Sequence, residues 1–492
     1  MNVIVKDFFQ LGSLRLLARF IKGLRGLFII FNLSPGLLGE YTIWLLYVFY
    51  FSFMELGILK GLERDLAHFR GAKDQNAYES VGDTGWSTFF DLSIIAAVSL
   101  AVVIYCVFKS WILALLLAGY LLAEKIYRAY EAHSRILFHY KTNGTAELIE
   151  VVVGFALLYY FLPRHGIYSI FPCFIVSLMI SIAYLAGTCR LTFRWRFRAA
   201  KAMAYVKTSF PLSLMFYAIT LFNVIPMTVV ALLWDKTTLG YYAFAYRVFE
   251  ICLAIFPFLI REVMRTRMYF YLGEGRDKTS GFQHLIFPMS IYGLTVSMFW
   301  LAVYWWGTPA ITRFAPQYQP SIGAMNILLF SLLPLGINKI SSDFLCSRVF
   351  NKLAFVNCCW ILGIAAQVAC MLLAKGASQD ILYSVPMIYV LATFAVYFCV
   401  VGTALKIGKS WGSSVVSMAR LLAPLLIAFS SVVAARYFWH GIPALNVSKN
   451  IFYSSLSIIS TLALSALLIR ARKGPINIDL PEAMENGAGP VR

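Results

Sequence analysis

Long apolar runs recur along the chain with little between them. Windows of about 18–25 residues rich in Leu, Ile, Val, Phe and Ala lie near 9–31, 37–59, 86–108, 111–133, 146–163, 166–188, 207–234, 239–261, 284–307, 321–345, 354–374, 379–404, 415–436 and 449–470. As helices rising 1.5 Å per residue, such windows span a hydrocarbon core of ~30 Å. The pattern predicts an all-α polytopic membrane protein of about fourteen transmembrane helices.

The distribution of positive charge fixes the order of crossing. Basic residues concentrate on alternate connections and at both termini, with 26 there against 7 on the intervening connections. Lys and Arg are retained on the cytoplasmic side of inserted helices, so the alternation supports an even number of spans with both termini cytoplasmic. It also explains most of the +19 formal charge, which in a soluble protein would suggest a nucleic-acid surface. No nucleic-acid partner is expected. The first apolar stretch holds four basic residues and no small-residue cleavage site, so it is expected to stay as a helix and not to act as a removable signal.

Composition narrows the function classes. At 60% hydrophobic and 13% charged residues, with a mean hydropathy of +0.74, the chain leaves no room for a large soluble catalytic domain. The nine cysteines fall in apolar runs without metal-type spacing and read as packed thiols. His139, His165 and His284 have no carboxylate or thiol at ligand spacing, so neither a catalytic nor a metal site is expected.

The chain repeats itself. The segment starting at Leu38 (LGEYTIWLLYVFYFSFMELGILKGLERDLAHF) aligns with the one starting at Leu239 (LGYYAFAYRVFEICLAIFPFLIREVMRTRMYF), pairing Leu38 with Leu239, Gly39 with Gly240, Tyr41 with Tyr242, Arg64 with Arg265 and Phe69 with Phe270. The second apolar helix thus falls on the eighth. This implies two pseudo-symmetric six-helix lobes around a central cavity, residues 1–201 and 202–405. Two extra helices follow over 406–472, then a polar cytoplasmic tail over 473–492. The basic stretch from Arg190 to Lys207 links the lobes.

These segments, with ELGILKGLERDLAHFRGA closing the second helix and YLGEG after the eighth, resemble the polysaccharide-transport branch of the MOP exporter superfamily, which includes the Wzx-type O-antigen flippases. The resemblance implies alternating access and a cargo of undecaprenyl-diphosphate-linked oligosaccharide, the repeat unit of O-antigen, capsule or exopolysaccharide. It places the chain in the bacterial inner membrane, among membrane lipids, with a glycan polymerase and a chain-length regulator as partners. It carries over no catalytic residue.

Intramembrane charge supplies the candidate site, because each such group needs water or a partner at bilayer depth. On the first helix Arg15, Arg19, Lys22 and Arg25 share an arc of ~120°, opposite Leu17, Phe20 and Leu24. Such a cationic wall suits a diphosphate, whose oxygens match the planar guanidinium fork. The alternative is a basic amphipathic helix on the membrane surface. Arg128, Arg247 and Lys339 extend the cationic set. Glu124, Glu250 and Asp343, at i,i+3 or i,i+4 from these cations, are candidates for H+ or Na+ coupling; self-neutralisation within each helix is the simpler reading. No other cofactor is expected. Glu55, Asp91, Glu147 and Glu150 read as interfacial, and Tyr241, Tyr242 and Tyr246 as sugar-stacking candidates.

Two other functions fit less well. A drug or cation antiporter of the same superfamily would favour unpaired intramembrane carboxylates, where this chain has Arg and Lys. A glycan polymerase or ligase needs a long external loop with an acid–base set; the connections near 308–320 and 437–448 offer only Arg313 and His440.

Overall fold

The computed structural model describes residues 3–71, 74–137, 139–191, 193–195, 199–253, 289, 292–293, 295–346, 352–376, 380–406, 421–423, 426 and 430. Among these there is no strand. The helices, in chain order, are α1 (Val3–Asn32), α2 (Pro35–Ser52), α3 (Ile58–Gly71), α4 (Gln75–Phe108), α5 (Trp111–Ile136), α6 (Tyr140–His165), α7 (Ile170–Thr188) and α8 (Ala199–Leu233). They continue with α9 (236–253), α10 (295–302), α11 (Thr308–Phe314), α12 (Ser321–Leu329), α13 (Leu332–Leu345), α14 (Leu353–Gly376) and α15 (Ile381–Lys406). The two helices expected over 406–472 lie almost wholly outside the described residues.

Short connections with local caps hold the antiparallel order. Ser34 accepts from the Leu37 amide and Pro35 occupies the first turn of α2, so α1 and α2 are joined by two residues. Lys109 adopts a left-handed conformation that ends α4, and Ser110 then accepts from the Leu113 amide to start α5. Asp74 caps α4 through the Ala77 amide.

Packing sorts the helices into two groups. In the first, α1 lies along α6, α6 along α7, and α5 against both α4 and α7; in the second, α8 pairs with α14, and α15 with α12, α13 and α14. Seven stretches of the described residues are long and apolar enough to cross a membrane, and one of them, Lys141–Thr188, contains both α6 and α7. α1 and α5 match these in length but carry several charges each, which lowers their hydropathy.

Three expectations need correction. The second apolar window is not one helix: α2 passes through a 3₁₀ turn at Phe53–Glu55 and stops at Leu56 and Gly57, with φ of 50° and 76°, before α3 begins. What read as a basic connection is the amphipathic α3, whose Ile58, Leu62 and Leu66 bury against Trp86, Phe89, Ala129 and Ile136. The window at 321–345 is split between α12 and α13, and the connection at 308–320 is largely helical, following a π turn at Val303–Gly307.

Candidate functional site

α1 sits between the two helix groups. It packs along α6 on one side, and on another Gly23 lies close enough to Ile251 of α9 that a Cβ would come within 3.0 Å of its Cγ2. Leu17, Phe20 and Leu24 are exposed on the outer face, where lipid would solvate them, while Ala18 and Arg25 are buried. From Leu17 to Arg25, α1 thus turns an apolar face outward and packs its other side on the bundle. The Arg15 side chain lies outside what the structure describes. Arg19 is half-buried and already engaged by a neighbour. Lys22 is exposed, forms no ion pair among the described residues, and lies within electrostatic reach of Glu124 on α5.

Arg25 departs from the expected stripe. Its Nη1 donates to Glu150 Oε1 of α6 at 2.7 Å, and its guanidinium lies 4.7 Å from the centre of the Phe174 ring. Gly154 makes the space, since a Cβ there would fall 2.6 Å from Arg25 Nη1. Both Arg25 and Glu150 are buried. The pair is neutralised inside the first helix group, where two charges survive burial only together.

α5 carries the densest charge. Lys125, 2% exposed, donates through Nζ to Glu55 Oε2 at 2.7 Å and to the Ser52 carbonyl at 2.8 Å. The break after Ser52 leaves helix carbonyls without amide partners, and a buried ammonium satisfies one of them. Glu55 is thus a structural partner and not an interfacial residue. Arg128 pairs with Glu124 at 2.5 Å, yet about half of its side chain remains open. Glu131, three residues on, pairs with Arg135 and not with Arg128, and Arg135 also reaches Glu63 of α3.

On α9, Arg247 donates to Glu250 Oε2 at 2.6 Å with both side chains partly open. Tyr41 of α2 is buried within the fields of Arg247, Arg25 and Glu250, bringing the two helix groups into one electrostatic neighbourhood. Tyr242 and Tyr246 are fully buried in the core, so they offer no stacking surface, in contrast to the sequence expectation. Lys339 is half-buried and engaged, and the Asp343 side chain lies outside the described residues.

Beyond this charged zone, the α1–α2 turn closes against the second group. A Cβ on Gly39 would lie 1.9 Å from the Lys236 carbonyl oxygen, and one on Gly240 1.8 Å from that of Pro35. The Lys236 ammonium reaches Glu40 at 3.3 Å, and the Tyr318 hydroxyl donates to the Leu33 carbonyl at 2.8 Å. These contacts hold the two helix groups together at this end among the described residues.

Comparisons with known proteins agree with this architecture. Residues 44–268 match a family described as polysaccharide biosynthesis protein. Among solved structures, the lipid II flippase MurJ in an inward closed conformation superposes with a TM-score of 0.70 at 11% identity, covering 92% of this chain and 98% of that one. A multidrug resistance MATE transporter of the MOP superfamily in an inward-facing conformation gives 0.59 at 13% identity, covering 82% and 95%. A Vibrio cholerae MATE transporter gives 0.56 at 15% identity, covering 82% and 98%. The comparison with curated proteins finds no match. The resemblance read from the sequence is borne out: the chain has the MOP-superfamily transporter fold, and its family match is to polysaccharide biosynthesis.

Proposed function

We propose that the protein is a flippase that carries an undecaprenyl-diphosphate-linked oligosaccharide, such as an O-antigen, capsule or exopolysaccharide repeat unit, across the bacterial inner membrane. The observation carrying this reading is that Lys22 and Arg128 expose cationic heads among apolar helices, inward of the lipid-facing residues of α1. A diphosphate supplies the anion that Lys22 lacks and a second one for the open side of Arg128. Glu124 leaves the site cationic overall by answering only one of the two, and the engaged Arg19 adds to the field. In this reading the outer end is shut, the head group enters from the cytoplasmic side where both termini lie, and parting of the α1–α2 turn from α9 releases it outward. A polymerase and a chain-length regulator would receive the product. Arg247 with Glu250, and Arg128 with Glu124, are the pairs at which a proton or sodium ion could exchange for the cation, coupling transport to a gradient.

The test is complementation of a flippase-deficient strain, read as surface glycan per unit of inserted protein. Lys22→Glu and Arg128→Glu should each lower the signal at least about tenfold, equivalent to ~1.4 kcal/mol of lost stabilisation. Arg128→Lys should retain part of it if the site reads charge. Full activity of both reversed-charge variants at normal expression would overturn the proposal.

A further inference from the structure

The link that joins α7 to α8, and with them the two helix groups, is strongly basic. Between 190 and 207 it holds six basic residues, Arg190, Arg194, Arg196, Arg198, Lys201 and Lys207, and no acidic one. Arg190, Arg194 and Lys207 are exposed, and none of the three forms an ion pair among the described residues. Three carboxylates of α4 stand near. Glu79 and Asp83 share a cavity wall with Arg194, and Asp91 lies beside Trp195. They answer at most half of the six cations, so the surface stays positive.

Retaining charge on one side of a membrane needs only the cations. Here the link is also built onto α4. Phe193 stacks on Phe90 at 5.5 Å, Trp195 stacks on the same ring at 6.3 Å, and the Arg194 amide donates to Asp83 Oδ1 at 2.7 Å. Leu191 and Phe193 share one small core with Tyr205 and Val206 of α8, which brings the two ends of the link together. Held in this way, Trp195 still leaves 57% of its surface open.

Phe90 heads a stripe on α4 that continues through Ile94, Val98 and Val102, all three exposed. At a spacing of four residues the stripe runs ~18 Å along the helix. α4 is long and apolar enough to cross a membrane, so this face meets lipid. The sequence of features along it is that of an amphiphile: guanidinium groups for a phosphate, an indole at the polar–apolar boundary, then a track for an acyl chain.

We propose that this surface binds an anionic phospholipid, its phosphate on Arg190 and Arg194 and one acyl chain over Trp195, Ile94 and Val98. Basic clusters beside a membrane helix favour acidic head groups over zwitterionic ones. The site does not rest on the flippase reading, since no residue is common to the two. A lipid held there would pin the link to α4, so movement of one helix group against the other would depend on the acidic-lipid content of the bilayer.

The test uses the purified full chain in phosphatidylcholine vesicles that contain a minor fraction of lipid brominated on its acyl chains. The Trp195 signal is the fluorescence difference between the parent and Trp195→Phe. Brominated phosphatidylglycerol should quench it about threefold or more beyond brominated phosphatidylcholine. Arg190→Gln with Arg194→Gln should erase that preference, whereas Arg190→Lys with Arg194→Lys should keep it, which separates lost charge from a disturbed fold. Free glycerol 3-phosphate should not compete. The proposal is overturned if both lipids quench equally in the parent, if the preference survives the Gln pair or is lost in the Lys pair, or if glycerol 3-phosphate relieves the quenching, which would mean a site for the phosphate alone.

Discussion

Gly39 of α2 and Gly240 of α9 hold reciprocal positions: each presses on the backbone four residues ahead of the other, Gly39 on Lys236 and Gly240 on Pro35. The sequence repeat maps Gly39 onto Gly240, and the same offset carries Pro35 onto Lys236. One contact is therefore the other turned about a twofold axis, and both need a residue without a Cβ.

Replacing either glycine by alanine should push the two helices apart. The obstructing atoms are backbone carbonyls, which no rotamer change can move away, and overpacking of this kind costs ~1–3 kcal/mol. Only the state shut at this end pays that cost. Gly39→Ala or Gly240→Ala should thus raise the population open at this end by about tenfold. Spin-label distances between the starts of α2 and α9 would report it; unchanged distances in both variants would contradict the closure described here.

Loss of one partner of the Arg25–Glu150 pair should act on folding before it acts on cargo. Arg25→Met strands a buried carboxylate and should cost ~3–5 kcal/mol, seen as a lower yield of inserted, monodisperse protein. Adding Glu150→Gln should recover most of the yield. Activity per inserted molecule in the double variant should approach that of the parent, unlike Lys22→Glu.

The break in α2 depends on Lys125. Glu55→Gln keeps an acceptor for the ammonium and leaves its bond to the Ser52 carbonyl, so the effect should be mild, whereas Lys125→Met removes both contacts at once. The thermal transition should fall several degrees further for Lys125→Met than for Glu55→Gln. Equal shifts would mean that the ion pair alone, and not the capped carbonyl, stabilises the break.

Acid should loosen α3 from α5. Burial alone raises the Glu63 carboxyl, but Arg135 and Lys60 outweigh it and hold the group below its ordinary range. A carboxylate with a lower pKa folded than unfolded stabilises at neutral pH, and that stability is lost as pH falls through the ordinary carboxylate range towards the depressed folded value. Protection of the α3 amides, after correction for the intrinsic pH dependence of exchange, should fall on acidification in the parent, and Glu63→Gln should flatten that dependence.

The helices and their polarity were legible because lipid imposes a strong, local signal: a charged face on α1 opposite Leu17, Phe20 and Leu24 needs no knowledge of neighbours. Partners were less legible. Glu150 lies 125 residues from Arg25, and Glu55 lies 70 from Lys125, so nothing in either helix marks which cation is spent on structure. The α2 break escaped for the same reason, since it is held by a side chain from α5. The burial of α3 could have been read from Ile58, Leu62 and Leu66 at helical spacing, had its charges not suggested a loop.

The exchanged glycine contacts bear on ancestry. Six antiparallel crossings return a chain to the side where it began, so two copies of such a unit insert with the same orientation and can meet about an axis normal to the membrane. The contact each copy would make with its twin is the one that Gly39 and Gly240 make here. Fusion of two such genes preserves the joint while freeing each side to diverge, which places Lys22 and Arg25 in one half without counterparts in the other. Half-length chains carrying Pro35 and Gly39, expressed alone, are the natural material in which to look for that older dimer.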